Sequence, residues 1–91
     1  MLVQLHAIFS GQVQGVGFRW VVSGAAELRG INGCVKNLED GSVEVYAVGS
    51  KEKLEAFVEH IKHNPGAATI KRVDCTYGVP SKEYQGFQIT F

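Results

Sequence analysis

The apolar residues of Val3-Leu5-Ala7-Phe9 recur at every second position, and from Phe18 the interval lengthens to three and four through Val21, Val22, Ala25 and Leu28. The first spacing lays down a strand with one buried face, the second a helix with one apolar stripe. A chain that changes period this early must pack a helix onto a sheet.

The rest of the chain alternates in the same two ways. Gly30 and Gly33 are expected to stop the first helix. Val35 to Leu38 and Val43-Val45-Ala47 read as strands, with Asp40-Gly41 between them supplying a tight-hairpin signal. Ser50 then stands as the N-cap of a second helix, whose stripe of Leu54, Phe57, Val58 and Ile61 runs until Asn64-Pro65-Gly66. Lys53 occupies the position where a capping box would carry Glu, so the cap is partial. Ile70 to Tyr77 is a less cleanly patterned strand, Gly78 to Gly86 a loop, and Phe87-Ile89-Phe91 alternates again.

The predicted order is β-α-β-β-α-β with a short extra strand at the C-terminus. One apolar stripe per helix and one apolar face per strand are satisfied together by an α+β two-layer sandwich, both helices on one face of a mostly antiparallel sheet. This is the ferredoxin-like plan, expected to span residues 1–91 as a single domain. The plan hosts many unrelated functions, so the site must decide.

Composition narrows the choices. Nine Lys plus Arg balance nine Asp plus Glu, leaving no overall field for a phosphate backbone or an acidic membrane, so no nucleic-acid or membrane partner is expected. No basic leader and no apolar run of about 20 residues is present, which reads as an untargeted cytoplasmic protein, expected to be a monomer. Cys34 and Cys75 form no C-x-x-C pattern, and His6, His60 and His63 have no ligand spacing. Neither a metal nor a cofactor is expected. A small metal chaperone of this plan would need the missing C-x-x-C. An RNA-binding sheet would need an RNP row of aromatics, where Gly41 to Val48 offers only Tyr46.

The chemistry-bearing stretch is "GQVQGVGFR", Gly11 to Arg19. Glycine-rich turns from strand to helix cradle anions because ligand oxygens can come close to free amides. Neither G-x-x-x-x-G-K-[ST] nor G-x-G-x-x-G is met, which excludes both common nucleotide loops. Arg19 would sit in the first helical turn, where the helix dipole disfavours a cation by roughly 0.3–1 kcal/mol unless an anion joins it. Amides from Gly15 to Arg19 plus a guanidinium would suit an oxyanion the size of phosphate. On these residues alone, Arg19 can equally be a solvated helix-start residue.

"GQVQGVGFR" resembles the first signature of the acylphosphatase family, and "GCVKNLEDGSVEVYAVG", Gly33 to Gly49, resembles its second. Element order and chain length match as well. Carried across by position, the resemblance implies that the amides of Gln14, Gly15, Val16, Gly17, Phe18 and Arg19 hold the phosphate of a small acyl phosphate, that Arg19 clamps it, and that Asn37 positions the attacking water. Without the resemblance Asn37 is a polar residue on a strand face. Cys34 departs from the pattern, standing where the family usually has an aromatic residue.

The implied reaction suits a site without a Ser-His-Asp set or paired carboxylates. An acyl phosphate expels a carboxylate with a pKa of about 4, so no general acid is needed. Inorganic phosphate is then both product and expected inhibitor. Trp20 and Val13 flank the loop and are candidates for contact with the acyl group, or for the core. A non-catalytic anion-binding module remains the alternative, as when such a domain is fused within a hydrogenase maturation protein; here nothing is expected beyond Phe91.

Overall fold

The computed structural model describes all residues 1–91. Strand β1 (Val3–Gln12) leads to helix α1 (Phe18–Leu28), the hairpin β2 (Asn32–Asn37) and β3 (Val43–Gly49), helix α2 (Lys51–His63), strand β4 (Thr69–Gly78) and the short β5 (Phe87–Ile89). The sheet order is β4-β1-β3-β2-β5, antiparallel throughout except for the parallel β2–β5 pair. The ferredoxin-like order of elements and the extra strand are as the periodicity predicts.

Leu5, Ala7 and Phe9 of β1, Val43, Val45 and Ala47 of β3, and Val35 of β2 share one buried face. Onto it α2 presses Leu54, Phe57, Val58 and Ile61, all four of its predicted stripe. Ser50 caps that helix as expected, its side chain accepting from the Lys53 amide at 3.3 Å. Helix α1 departs from its predicted stripe. Phe18, Val22 and Ala25 are buried, but Ser23 and Ala26 join them while Leu28 is 79% exposed. Two alanines and a serine thus make up much of the buried face of α1, and the leucine of its last turn lies off that face.

Strand β2 begins at Asn32, so Gly33 lies inside the ladder instead of ending α1. The helix stop is Gly30 alone, left-handed at φ 66°, followed by a bond from the Ile31 amide to the Ala26 carbonyl at 3.0 Å. Gly33 is required for another reason: a Cβ there would collide with the backbone carbonyl of Tyr46 on the neighbouring strand. Gly33→Ala is expected to destabilise the fold by about 3 kcal/mol, the upper range for overpacking. A fall in the urea midpoint with an unchanged m-value checks this.

Candidate active site

Phe18 opens α1 with its ring fully inside, edge-on to Phe9 at 5.3 Å between centroids. That anchor fixes the first turn of the helix against the sheet. The preceding loop therefore has to reverse direction within a few residues. Gly15 and Gly17 do so with φ of 76° and 75°, flanking Val16 of ordinary sign. Nothing lies within 4 Å of a Cβ built at either glycine, so conformation, not crowding, demands them. Alternation of hand between successive residues is the kind of backbone from whose amides anion nests are built.

Those amides are free. The N–H groups from Gln14 to Arg19 donate to no carbonyl or side chain of the protein; the first helical donors with a partner are Trp20 and Val21, both to the Gly17 carbonyl. No acidic residue occupies the first turn of α1. The helix N-terminus thus presents uncompensated positive potential to the loop.

Arg19 stays beside it. Its guanidinium donates to the Thr90 carbonyl at 3.0 Å and stacks over the Phe91 ring at 4.6 Å from the centroid. Thr90 is itself fixed, its amide and its hydroxyl both donating to the Val35 carbonyl, at 2.8 and 3.2 Å. The C-terminal segment after β5 therefore sets the direction of the arginine. Sequence reasoning missed this, since Arg19 and Thr90 are 71 positions apart and no local pattern joins them.

Asn37, the last residue of β2, pairs with Val43 and so lies on the same sheet face as Val35 and the core. Val13, Gly15, Gly17, Phe18, Arg19, Trp20 and Asn37 line one cavity of about 200 Å³. Gln14 closes the arrangement from outside: its side-chain amide donates to the carbonyls of Leu38 and Ser42, each at 2.8 Å. That ties the loop to the hairpin carrying Asn37. The sequence pointed to the Gln14 main chain only.

Asn37 Oδ1 is buried and has no hydrogen-bond partner. An unpaired acceptor costs about 1–3 kcal/mol, a cost that proteins accept at functional positions. The hairpin tip below it is tightened by Asp40, whose carboxylate accepts from the Ser42 hydroxyl and amide. The same contacts hold the Asp40 carboxyl below its usual range. A lowered carboxyl pKa stabilises the fold above its unfolded value, and this contribution disappears as pH falls through the folded one.

Trp20 is 73% exposed at the mouth of the cavity while Val13 is buried in the core. The two flanking residues therefore part company: Val13 belongs to the core and reaches only the cavity wall, while the tryptophan is open to solvent at its mouth. No group of three or more His, Cys, Asp or Glu side chains is placed to hold a metal ion. No helix is long and apolar enough to cross a membrane.

The acylphosphatase family model matches residues 5–89. The chain belongs to the acylphosphatase family. Among acylphosphatases, the protein of that name from Archaeoglobus fulgidus is 38% identical over 90 residues, covering 99% of this chain and 100% of its own. The crystal structure of the Bacillus subtilis acylphosphatase superposes with a TM-score of 0.92 at 35% identity, over 98% of this chain and 99% of the other. The structure of HypF from T. kodakarensis contains the same fold, at a TM-score of 0.85 and 30% identity, over 97% of this chain and 12% of that longer one. The acylphosphatase plan thus occurs both alone and inside a larger protein.

Proposed function

We propose that residues 1–91 act as a single acylphosphatase domain that hydrolyses the carboxyl–phosphate bond of small acyl phosphates to carboxylate and inorganic phosphate. The observation that carries this reading is the cavity shared by Gly15, Gly17, Phe18, Arg19 and Asn37, at a loop whose amides from Gln14 to Arg19 are unpaired; Gln14 and Val16 do not line the cavity itself. In the proposed mechanism the amides and Arg19 receive the phosphoryl oxygens and stabilise the charge redistributed over them in the transition state. Asn37 accepts a hydrogen bond from the attacking water through Oδ1 and aims it in line with the breaking bond. Asparagine has no useful basicity, so the water's proton passes to a phosphate oxygen. The carboxylate leaves unprotonated.

A purified-protein assay on benzoyl phosphate tests the reading. Turnover is expected, with competitive inhibition by inorganic phosphate; phosphate binding without hydrolysis would favour a non-catalytic anion-binding module instead. Because no group of three or more metal-ligating side chains is assembled, a chelator is expected to leave the rate unchanged. A pH profile that follows an enzyme pKa near neutrality would point to a histidine base and against proton transfer to the substrate.

The exposed indole beside the cradle gives a further expectation. Trp20→Ala should lower kcat/KM for benzoyl phosphate by about tenfold, the scale of aromatic contact on desolvation, while leaving acetyl phosphate within about twofold. Parallel kinetics on the two substrates decide it.

A further inference from the structure

The face of the sheet opposite the helices carries a second concavity, larger than the cradle's, of about 530 Å³. Register places Tyr46 opposite both His6 and Cys34, and Glu44 opposite Lys36, all on this open face. The loop after β4 crosses above them, fastened by the Ser81 amide and hydroxyl donating to the Gln4 side chain at 3.2 and 3.1 Å. Tyr84 and Lys82 of that loop complete the enclosure.

The floor is largely aromatic. Tyr46 stacks on His6 at 4.5 Å, and burial pushes the Cys34 thiol and the Tyr46 and Tyr84 hydroxyls up, keeping them neutral. The one carboxylate, Glu44, is taken by His6 Nε2 at 2.8 Å. Lys36 and Lys82 take part in no ion pair. Two ammonium groups without an ion-pair partner thus line the basin, Lys36 across the ladder from Glu44 and Lys82 over the Tyr84 ring at 5.0 Å from its centroid.

Thr90 and Phe91 form the remaining wall. These are the residues that hold Arg19 from the other side, by the 3.0 Å bond to the Thr90 carbonyl and the 4.6 Å stack on Phe91. Thr90 is held by its two bonds to Val35, but the Phe91 ring is 97% exposed and rests on little besides the Arg19 stack, so it is the ring that an occupant of the basin could fix.

We propose that this basin is a second binding site, for a small planar aromatic carboxylate, and that its occupant tightens phosphate binding at the cradle by fixing the Thr90–Phe91 segment against Arg19. The ring lies on Tyr46, and the carboxylate oxygens take Lys36 and Lys82, the latter carried over the Tyr84 ring. Covering Phe91 removes apolar surface from water and orders the segment in advance, so that phosphate no longer bears that cost. The coupling half rests on the proposed role of Arg19; the binding half does not.

The test is titration of 2-naphthoate into isotope-labelled protein, read by NMR, with and without inorganic phosphate. Saturable shifts are expected at residues 34–36, 44–46, 81–84 and 90–91. Combined Lys36→Ala and Lys82→Ala substitution should weaken binding by about tenfold or more while leaving unliganded acetyl phosphate turnover unchanged. Saturating naphthoate should raise phosphate affinity by about fivefold, and phosphate should raise naphthoate affinity by the same factor, as linkage requires. Shifts confined to residues 14–19 and displaced by phosphate would overturn the second site, as would binding indifferent to the two lysines or equally good binding of cyclohexanecarboxylate. Phosphate affinity unchanged or lowered would overturn the coupling. Failure of phosphate to bind the free protein would instead count against the cradle, because the lysine-dependent shifts are read without it.

Discussion

Arg19→Gln is expected to reduce kcat on benzoyl phosphate by about 10³-fold or more with the fold intact. The substitution keeps the aliphatic stem and an amide donor at the level of Nε, but shortens the side chain and removes the charge and the fork that receives two oxygens at once. Removal of a single preorganised donor already costs about 10²–10³ in rate, and a guanidinium acting on a transferring phosphoryl group is worth about 10³–10⁵. The thermal midpoint should hardly move, since the side chain makes one hydrogen bond and one exposed stack. Arg19→Lys, which restores charge without the fork, should recover only a small part of the activity. Near-wild-type turnover in the Gln variant would reject the assigned role.

Asn37→Ala should separate binding from chemistry. With the cradle amides and Arg19 untouched, inhibition by inorganic phosphate is expected within about threefold of wild type, while kcat falls by about 10²–10³-fold for loss of an aligned water. Stability should rise or stay level, because the substitution removes a buried acceptor that no protein group satisfies. A structural asparagine would give the opposite pattern, with stability lost and the residual rate high. The measurement is steady-state kinetics beside denaturant unfolding on the same preparation.

The fold was legible wherever the period of the apolar residues is unbroken. Helix α2 carries its cap, its stripe and its stop in local sequence, and all of them appear in the structure. Helix α1 is less transparent because small residues do the packing: Ala26 lies inside in place of Leu28, and small side chains contribute little to a hydrophobic period. Gly33 was misplaced for a related reason. Its use depends on a neighbouring strand's carbonyl that no local rule reveals.

The candidate site divides along the same line. The glycines and the arginine lie within five residues of one another, so Gly15, Gly17 and Arg19 point to an anion nest from local sequence alone. Asn37 acquires a meaning only through the family resemblance, since a single asparagine at a strand end has no chemical signature. Its buried, unpartnered oxygen is a fact of packing. Thr90, Phe91 and the Gln14 side chain were invisible because each acts across a long stretch of chain, through contacts to main-chain carbonyls or a ring.

The paired bonds from Gln14 to Leu38 and Ser42 make the anion loop and the hairpin tip a single mechanical unit. Loosening the tip, by acidifying Asp40 or by inserting residues between β2 and β3, would slacken the grip on an oxyanion that never touches the tip. Heat inactivation and local opening of that turn should then share one midpoint, below the global melt.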